Sequence, residues 1–508
     1  MKLAFIEGSG LVKYFSPNTL NVRGFILKEN KKVVKRPSLK VAMIPIVFMI
    51  VSLYFGISIF ELDPHIPLLL SGFVATIIAI WLGYSWNEIE TSFLNTIRLS
   101  LQAIMILLII GAIIGSWIAA GIVPTMIFYG LDLLSPQYFL VSACAISCVV
   151  ALASGNAWTA AGTIGIAIMG IGQGLGVDLA MVAGAVISGV YFGDKVSPLS
   201  ETTNMAPGIT GAELFEHIKH MMYTTIPALI ISLIIYTFIG LRFTGEGSSI
   251  AEVQALQNQL GDIFIISPWL LLAPLAVIVM MVFKMPAIPG LTIGALIGVI
   301  FAIGFQGMAI GDAINVMYYG FSKDVGIEVV DNLLNNGGME SMMYTVALIL
   351  IAMSFGGILE KAGILEAIVV ALLSFAKKTG SLIATTVATC IAANIIACDQ
   401  YLSIILPGRM YSKAYQDRNL HPKNLSRTLE DAGTMTSPLV PWNTCGAFMF
   451  ATLGVSALSY APFAFLCLLS PIIALIYGFL NFKIEYLPEK AEGTNLNLDL
   501  PDRKRAEA

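Results

Sequence analysis

Charge is what this chain has little of. Only 12% of its 508 residues are Asp, Glu, Lys or Arg, about half the share usual in a soluble domain. With 57% hydrophobic residues and a mean hydropathy of +0.83, that scarcity excludes a soluble globular protein. Histidine is scarce as well, at four. No phosphate-binding glycine loop and no His-Glu-x-x-His zinc signature occurs, and EHIKH (216–220) is not one. Phosphoryl-transfer and zinc-hydrolase enzymes therefore find no support. The six cysteines (Cys144, Cys148, Cys390, Cys398, Cys445, Cys467) all lie in apolar segments without a histidine cluster nearby. They read as packing residues rather than as metal ligands or disulfides. No cofactor and no nucleic-acid partner is expected. No apolar core with a cleavage site precedes the basic cluster KENKKVVKRPSLK (28–40), so a cleaved signal peptide is not expected and the cluster reads as a cytoplasmic anchor.

What the chain has is apolar runs. VAMIPIVFMIVSLYFGISIF (41–60) and YTTIPALIISLIIYTFIG (223–240) are near the length that crosses about 30 Å of hydrocarbon. They lack the alternation of barrel strands, so the expected fold is an all-α polytopic membrane protein. Spans are expected near 42–60, 66–84, 97–120, 179–210 and 221–241, with a hairpin near 138–174. A second set follows near 266–283, 288–305, 342–361, 429–457 and 460–481, with a hairpin near 381–412. Short connecting helices at the membrane surface fill 121–135 and 363–377.

The two sets share sequence. Ser-Pro-Leu stands at 197–199 and at 437–439, and Ala-Gly-Ile lies upstream of each, at 120–122 and 362–364. ALASGNAWTAAGT (151–163) corresponds to AANIIACDQYLSI (392–404). The spacings differ by about two residues, and at that of Ser-Pro-Leu Asp194 pairs with Thr434, Glu201 with Pro441, and Asp399 with Thr159. Five spans per half is an odd number, which makes the halves inverted-topology repeats. Loop charge agrees with both termini inside: the inner loops hold Lys377, Lys378, Arg409, Lys413, Arg418, Lys423 and Arg427, the outer ones only Arg242 and Lys323. The expected organisation is a basic cytoplasmic segment (1–41), repeat one (42–243), an extracytoplasmic linker (244–265), repeat two (266–482) and a cytoplasmic tail (483–508), polar and disordered from Glu485 onward. Inverted repeats with interrupted helices are an architecture of secondary transporters, with the site near the midplane.

The interruptions carry the chemistry. Pro198, Pro438 and Pro441 break their helices, and the freed carbonyls are tolerated only against protein or a wet cavity. Around them stand neutral oxygen donors: Ser197, Ser200, Thr202, Thr203 and Asn204, then Thr436, Ser437, Asn443 and Thr444. Such donors suit a hard monovalent cation such as Na⁺; the alternative is that they stitch helices together. Asp194, Glu201 and Asp399 are carboxylates flanked by apolar sequence, where a charge is costly and marks function. Asp431 is the better candidate of the Glu430-Asp431 pair, because Glu430 stands where an inner surface would solvate it. A buried carboxyl that exchanges a proton for Na⁺ would couple the two gradients in opposite directions. For Asp194 the alternative is a structural ion pair with Lys195 or another buried group. His217 and His220 read as exposed interfacial residues, the alternative being a sensor of cytoplasmic pH; Gly189 and Gly193 read as a close helix contact, and Trp158 and Trp442 as packing or gating groups.

GDKVSPLSETTNMAP (193–207), EDAGTMTSPLVPWNTCGA (430–447) and Trp-Thr-x-x-Gly-Thr-Ile-Gly (158–165) together resemble the signatures of NhaC-type sodium/proton antiporters. Malate/lactate antiporters belong to the same group, and the resemblance covers roughly residues 40 to 482. It implies a bacterial inner-membrane exchanger of the wider ion-transporter superfamily, with a site made by a hairpin tip and a broken helix from each repeat. The tips carried over are Ser154-Gly155-Asn156 and the stretch from Asn394 to Asp399. Members often carry Asp where this chain has Glu201, so the charge is kept on a longer side chain. The expected function is Na⁺/H⁺ antiport by an elevator-like alternating access, in a homodimer that moves Na⁺ and H⁺ and has the lipid bilayer as its surroundings. The alternative is Na⁺/H⁺-coupled exchange of small carboxylates, although Lys195 is the only basic group near the motifs. A channel, which would offer a pore-lining ring from an oligomer, fits the paired breaks poorly.

Overall fold

A computed structural model describes residues 35–243, 250–323 and 337–487. Most of the basic cluster and most of the tail lie outside the described residues. Those that are described form helices, nine of them long and apolar enough to span a membrane, or eleven if each sharply bent pair is one span. Their outward faces carry Ile, Leu, Phe and Trp, as at Phe73, Trp81, Phe238 and Phe479. A hydrocarbon surrounding makes that exposure favourable.

One succession of elements occurs twice. A long helix (Trp86–Ala119), a short one (Ile122–Leu133), a hairpin, a broken helix and a closing helix (Leu214–Gly240) come first. Met343–Lys361, Ile364–Leu373, a second hairpin, a second broken helix and Phe465–Leu480 follow in the same order. Two helices precede each set: Leu39–Ser58 and His65–Leu82, then Leu272–Val282 and Ala287–Gly304. Between the sets the expected linker contains a helix, Ile250–Ile263. It is tied down by Gln257, whose Nε2 donates to Phe128 O and to Asp132 Oδ1 at 3.0 and 2.8 Å. A further helix, Ile310–Tyr319, had no signal in the span pattern.

Each hairpin turns on two residues. Pro136–Ser154 ends at Gly155 (φ 68°), and Asn156 then caps the returning helix, its Oδ1 accepting from Thr159 N at 3.0 Å. Thr379–Ile396 leads to Cys398 (φ 60°), and Asp399 caps the return, its Oδ1 accepting from Leu402 N at 3.0 Å. A left-handed residue followed by an extended cap fixes the register better than residue spacing does. It matches Asn156 with Asp399 and Trp158 with Tyr401, which overturns the pairing of Asp399 with Thr159.

The breaks follow the same logic. Leu179–Val196 stops, Pro198 interrupts it, and Ser200 caps Glu201–Thr210. In the second half the helix widens into a π-turn at Glu430–Thr434, tightens at Ser437–Leu439, and restarts at Thr444–Leu453 under the cap Asn443. This break is three residues longer, so Glu201 corresponds to Thr444 rather than to Pro441. Gly189 and Gly193 let the helix Leu179–Val196 lie directly on the first hairpin arm. A Cβ on either would enter the backbone of Cys144 or Leu152.

The C-terminal segment is described through residue 487. Glu485 pairs with Lys423 and accepts from His421 N at 2.9 Å through its carbonyl. Glu485 was placed at the start of a disordered tail; these bonds explain why the segment is held.

Candidate ion-binding cavity

The freed backbone groups at the breaks are satisfied by the same side chains that looked like cation ligands. Thr203 Oγ1 donates to Lys195 O at 2.8 Å and lies 3.3 Å from Asp194 O. Asn204 Nδ2 donates to the carbonyls of Pro198 and Ser200 at 2.9 and 2.6 Å, and Ser197 Oγ to Leu152 O at 3.2 Å. Ser437 Oγ donates to Thr434 O at 2.8 Å, and Ser154 Oγ to Asn156 O at 3.2 Å. Asn394 Nδ2 donates to Gly433 O at 2.7 Å and Thr436 Oγ1 at 2.9 Å, while Asn443 Nδ2 donates to Asn394 Oδ1 at 3.1 Å. None of these seven lines the cavity described next; they hold the breaks in shape.

The other predicted residues converge. Asn156, Asp194, Glu201, Thr202, Asp399 and Thr444 line one cavity of about 240 Å³, together with Ser200. Two hairpin caps, Asn156 and Asp399, face it from opposite halves. So do the first residues of the two restarted helices, Glu201 and Thr444. Each tip abuts the break of its own half. Thr444 N donates to Cys398 O at 3.0 Å, and Thr444 Oγ1 lies 3.4 Å from Asp399 Oδ2. Gly155 packs so tightly on Leu199 that a Cβ there would sit 2.5 Å from that side chain.

Three lining residues had no sequence signal. Tyr401 OH donates to Glu201 Oε2 at 2.6 Å, and Gln102 Nε2 to Glu201 Oε1 at 3.0 Å. Gln400, buried beside them, accepts from Cys445 Sγ at 2.8 Å through Oε1, while its Nε2 has no partner. Only the register of the second hairpin, which matches Tyr401 to Trp158, could have pointed to Tyr401. Trp158 also lines the cavity and stacks on Phe448 with centroids 4.1 Å apart. Trp442 instead donates through Nε1 to Ile395 O at 2.8 Å.

No Lys, Arg or His lines the cavity, while three carboxylates do. Among the described residues no group of three His, Cys, Asp or Glu side chains is close enough to hold a metal ion. The site is therefore a set of separate carboxylates among neutral oxygens, not a preformed cage.

Asp431 stands elsewhere. It is fully buried and paired with Lys195, and its Oδ1 also accepts from Thr224 Oγ1 at 2.9 Å and Ser470 Oγ at 3.1 Å. Lys195 thus pairs with Asp431 across the two halves, and not with its neighbour Asp194, which is left facing the cavity. Glu430 and Arg427, expected near an inner surface, are fully buried. So are His217 and His220, expected to be exposed; His217 Nδ1 lies 2.8 Å from Ser426 Oγ. The helix Leu214–Gly240 begins well before the expected span, and its first turns pack on Pro422–Leu429.

The family model of the Na⁺/H⁺ antiporter family matches residues 189–482, which hold both breaks and the second hairpin. The chain belongs to that family. It is 40% identical to the Na⁺/H⁺ antiporter NhaC of Alkalihalophilus pseudofirmus over 84% of this chain and 92% of that protein. NhaC of Bacillus subtilis is 37% identical over 86% of this chain and 96% of its own length. The malate-2H⁺/Na⁺-lactate antiporter of the same organism is 38% identical over 87% of this chain and 94% of its own.

Proposed function

We propose that this protein is a secondary antiporter that exchanges Na⁺ for H⁺ by alternating access. One observation carries the reading: Asp194, Glu201 and Asp399 share one cavity with neutral oxygens and no basic side chain. A cation entering it displaces protons from carboxylates, and protons returning displace the cation, so occupancy by one opposes the other. The paired hairpins and breaks fit two inverted repeats whose tips and restarts move together as an elevator-like unit. Cytoplasmic termini follow from the lysines and arginines of the inner loops. The bacterial cytoplasmic membrane and a homodimer complete the proposal.

The relative that exchanges malate and lactate supports a second reading, in which a small carboxylate travels with Na⁺. The cavity opposes it, because its charged groups are acids and Lys195 is committed to Asp431.

Proteoliposomes with a pH-sensitive dye inside test both readings. Separate pulses of Na⁺, Li⁺, K⁺ and carboxylic acids should evoke proton flux with Na⁺, and Asp194→Asn should abolish it. Flux that requires a carboxylic acid would replace the first reading with the second.

A further inference from the structure

Glu430 is fully buried, its carboxyl oxygens meet no cation and no backbone donor, and the one polar side chain set against them is the Thr434 hydroxyl of the same π-turn. It opens the π-turn Glu430–Thr434 and does not line the cavity. The cations around it are engaged elsewhere. Lys195 Nζ donates to Asp431 Oδ1 and, at 2.9 Å, to Ser470 Oγ. Arg427 donates through Nη1 to Lys483 O at 3.0 Å and stands 4.0 Å from Asp431 Oδ2.

The remaining titratable groups near it leave it equally alone. Asp194, from the same half-helix as Lys195, faces the cavity, and Cys390 approaches from Thr379–Ile396. His217 is bonded to Ser426, and Tyr411 and Tyr415 to Thr389 and Thr386. An ionised carboxylate without a partner is among the costliest groups to bury, whereas a neutral carboxylic acid is far cheaper.

We propose that Glu430 is a proton-binding site of the exchange, separate from the cation cavity. In the state described here it holds the proton as –COOH. In the other state it releases H⁺ to water and becomes –COO⁻. The exchange reading above supplies only the trigger. A cation arriving beside Asp194 repels the Lys195 ammonium in the same helix end. Lys195 is then best placed between two carboxylates on adjacent residues, Asp431 and Glu430.

Infrared difference spectroscopy on the purified, full-length protein tests this. Adding Na⁺ should remove a protonated-carboxyl band. That band should shift in Glu430→Asp and vanish in Glu430→Gln, while vesicles with the Gln variant still exchange radioactive Na⁺ for Na⁺. Protons released per bound Na⁺ should fall by about one in the Gln variant. A band and a proton count unchanged in both variants would overturn the proposal, and so would a wild-type protein without such a band. If Glu430→Gln does not fold, the band shift in Glu430→Asp decides. Absence of any Na⁺-driven proton flux in the wild type sinks the exchange reading instead. Raising the pH without Na⁺ then reads the Glu430 proton directly.

Discussion

The two helix breaks are built alike and charged differently. In the first half the hairpin cap is neutral Asn156 and the restarted helix opens on an acid, Glu201. In the second half the cap is an acid, Asp399, and the helix opens on neutral Thr444. Each half thus offers one carboxylate and one neutral oxygen at equivalent places, with the two exchanged. Asp194 adds a third acid, and its counterpart Thr434 is a neutral hydroxyl lying outside the cavity. The order of elements recurs in the two halves, and the charges at matching places do not.

The halves are also tied by one ion pair that neither could form alone. Lys195 lies 236 residues before Asp431, and both are fully buried. Removing Lys195 breaks the comparison most severely. Lys195→Ala should destabilise the protein by about 3–5 kcal/mol, because it strands a buried carboxylate. Thermal unfolding in detergent would show the loss. The double variant Lys195→Met with Asp431→Asn should recover part of it, since the stranded carboxylate is gone and only Arg427, 4.0 Å from Asp431 Oδ2, loses a partner.

Asp399→Asn sharpens the comparison instead. Asn and Asp cap helices about equally well, and Asn156 already serves as such a cap in the first hairpin. The substitution should therefore leave unfolding unchanged while removing one cavity charge. Na⁺ affinity, read from the Na⁺ dependence of proton flux, should fall at least about tenfold, the equivalent of roughly 1.4 kcal/mol. An unchanged affinity with normal folding would remove Asp399 from the cation's surroundings.

Much of this was legible in the sequence because it rests on local rules. Apolar runs announced the spans, and Pro198 and Pro438 announced the breaks. Ser-Pro-Leu tied them together, but at one fixed spacing that a three-residue difference between the breaks defeats. Polar residues near a break were legible as a group and not as individuals. Thr203 and Asn204 close carbonyls a few residues away, whereas Thr202 beside them faces the cavity. Neighbouring residues on a helix point about 100° apart, so only the path of the chain sorts them. The same phase question hid the burial of Glu430, expected at an inner surface but enclosed like Asp431, because the π-turn rotates both by an amount no apolar pattern records. Gln102 and Tyr401 reach Glu201 from 99 and 200 residues away, which no local pattern encodes.

The smallest effect separates the two hairpin tips. Gly155 and Cys398 both take left-handed backbone, which costs a residue with a side chain about 1–2 kcal/mol. Gly155 avoids that cost and must, because Leu199 also occupies the space a Cβ would need. Cys398 carries it, its Sγ turned back toward the carbonyls of Ile395 and Ile396 at 3.7 and 3.6 Å. Gly155→Ala should therefore lower the unfolding temperature and disturb the cavity beside Asn156. Cys398→Gly should change stability by less than about 1 kcal/mol, since relief of the backbone is offset by a freer unfolded chain and lost packing. If both variants unfold alike, the crowding by Leu199 is not what sets Gly155 apart, and the two tips are equivalent in energy as well as in shape.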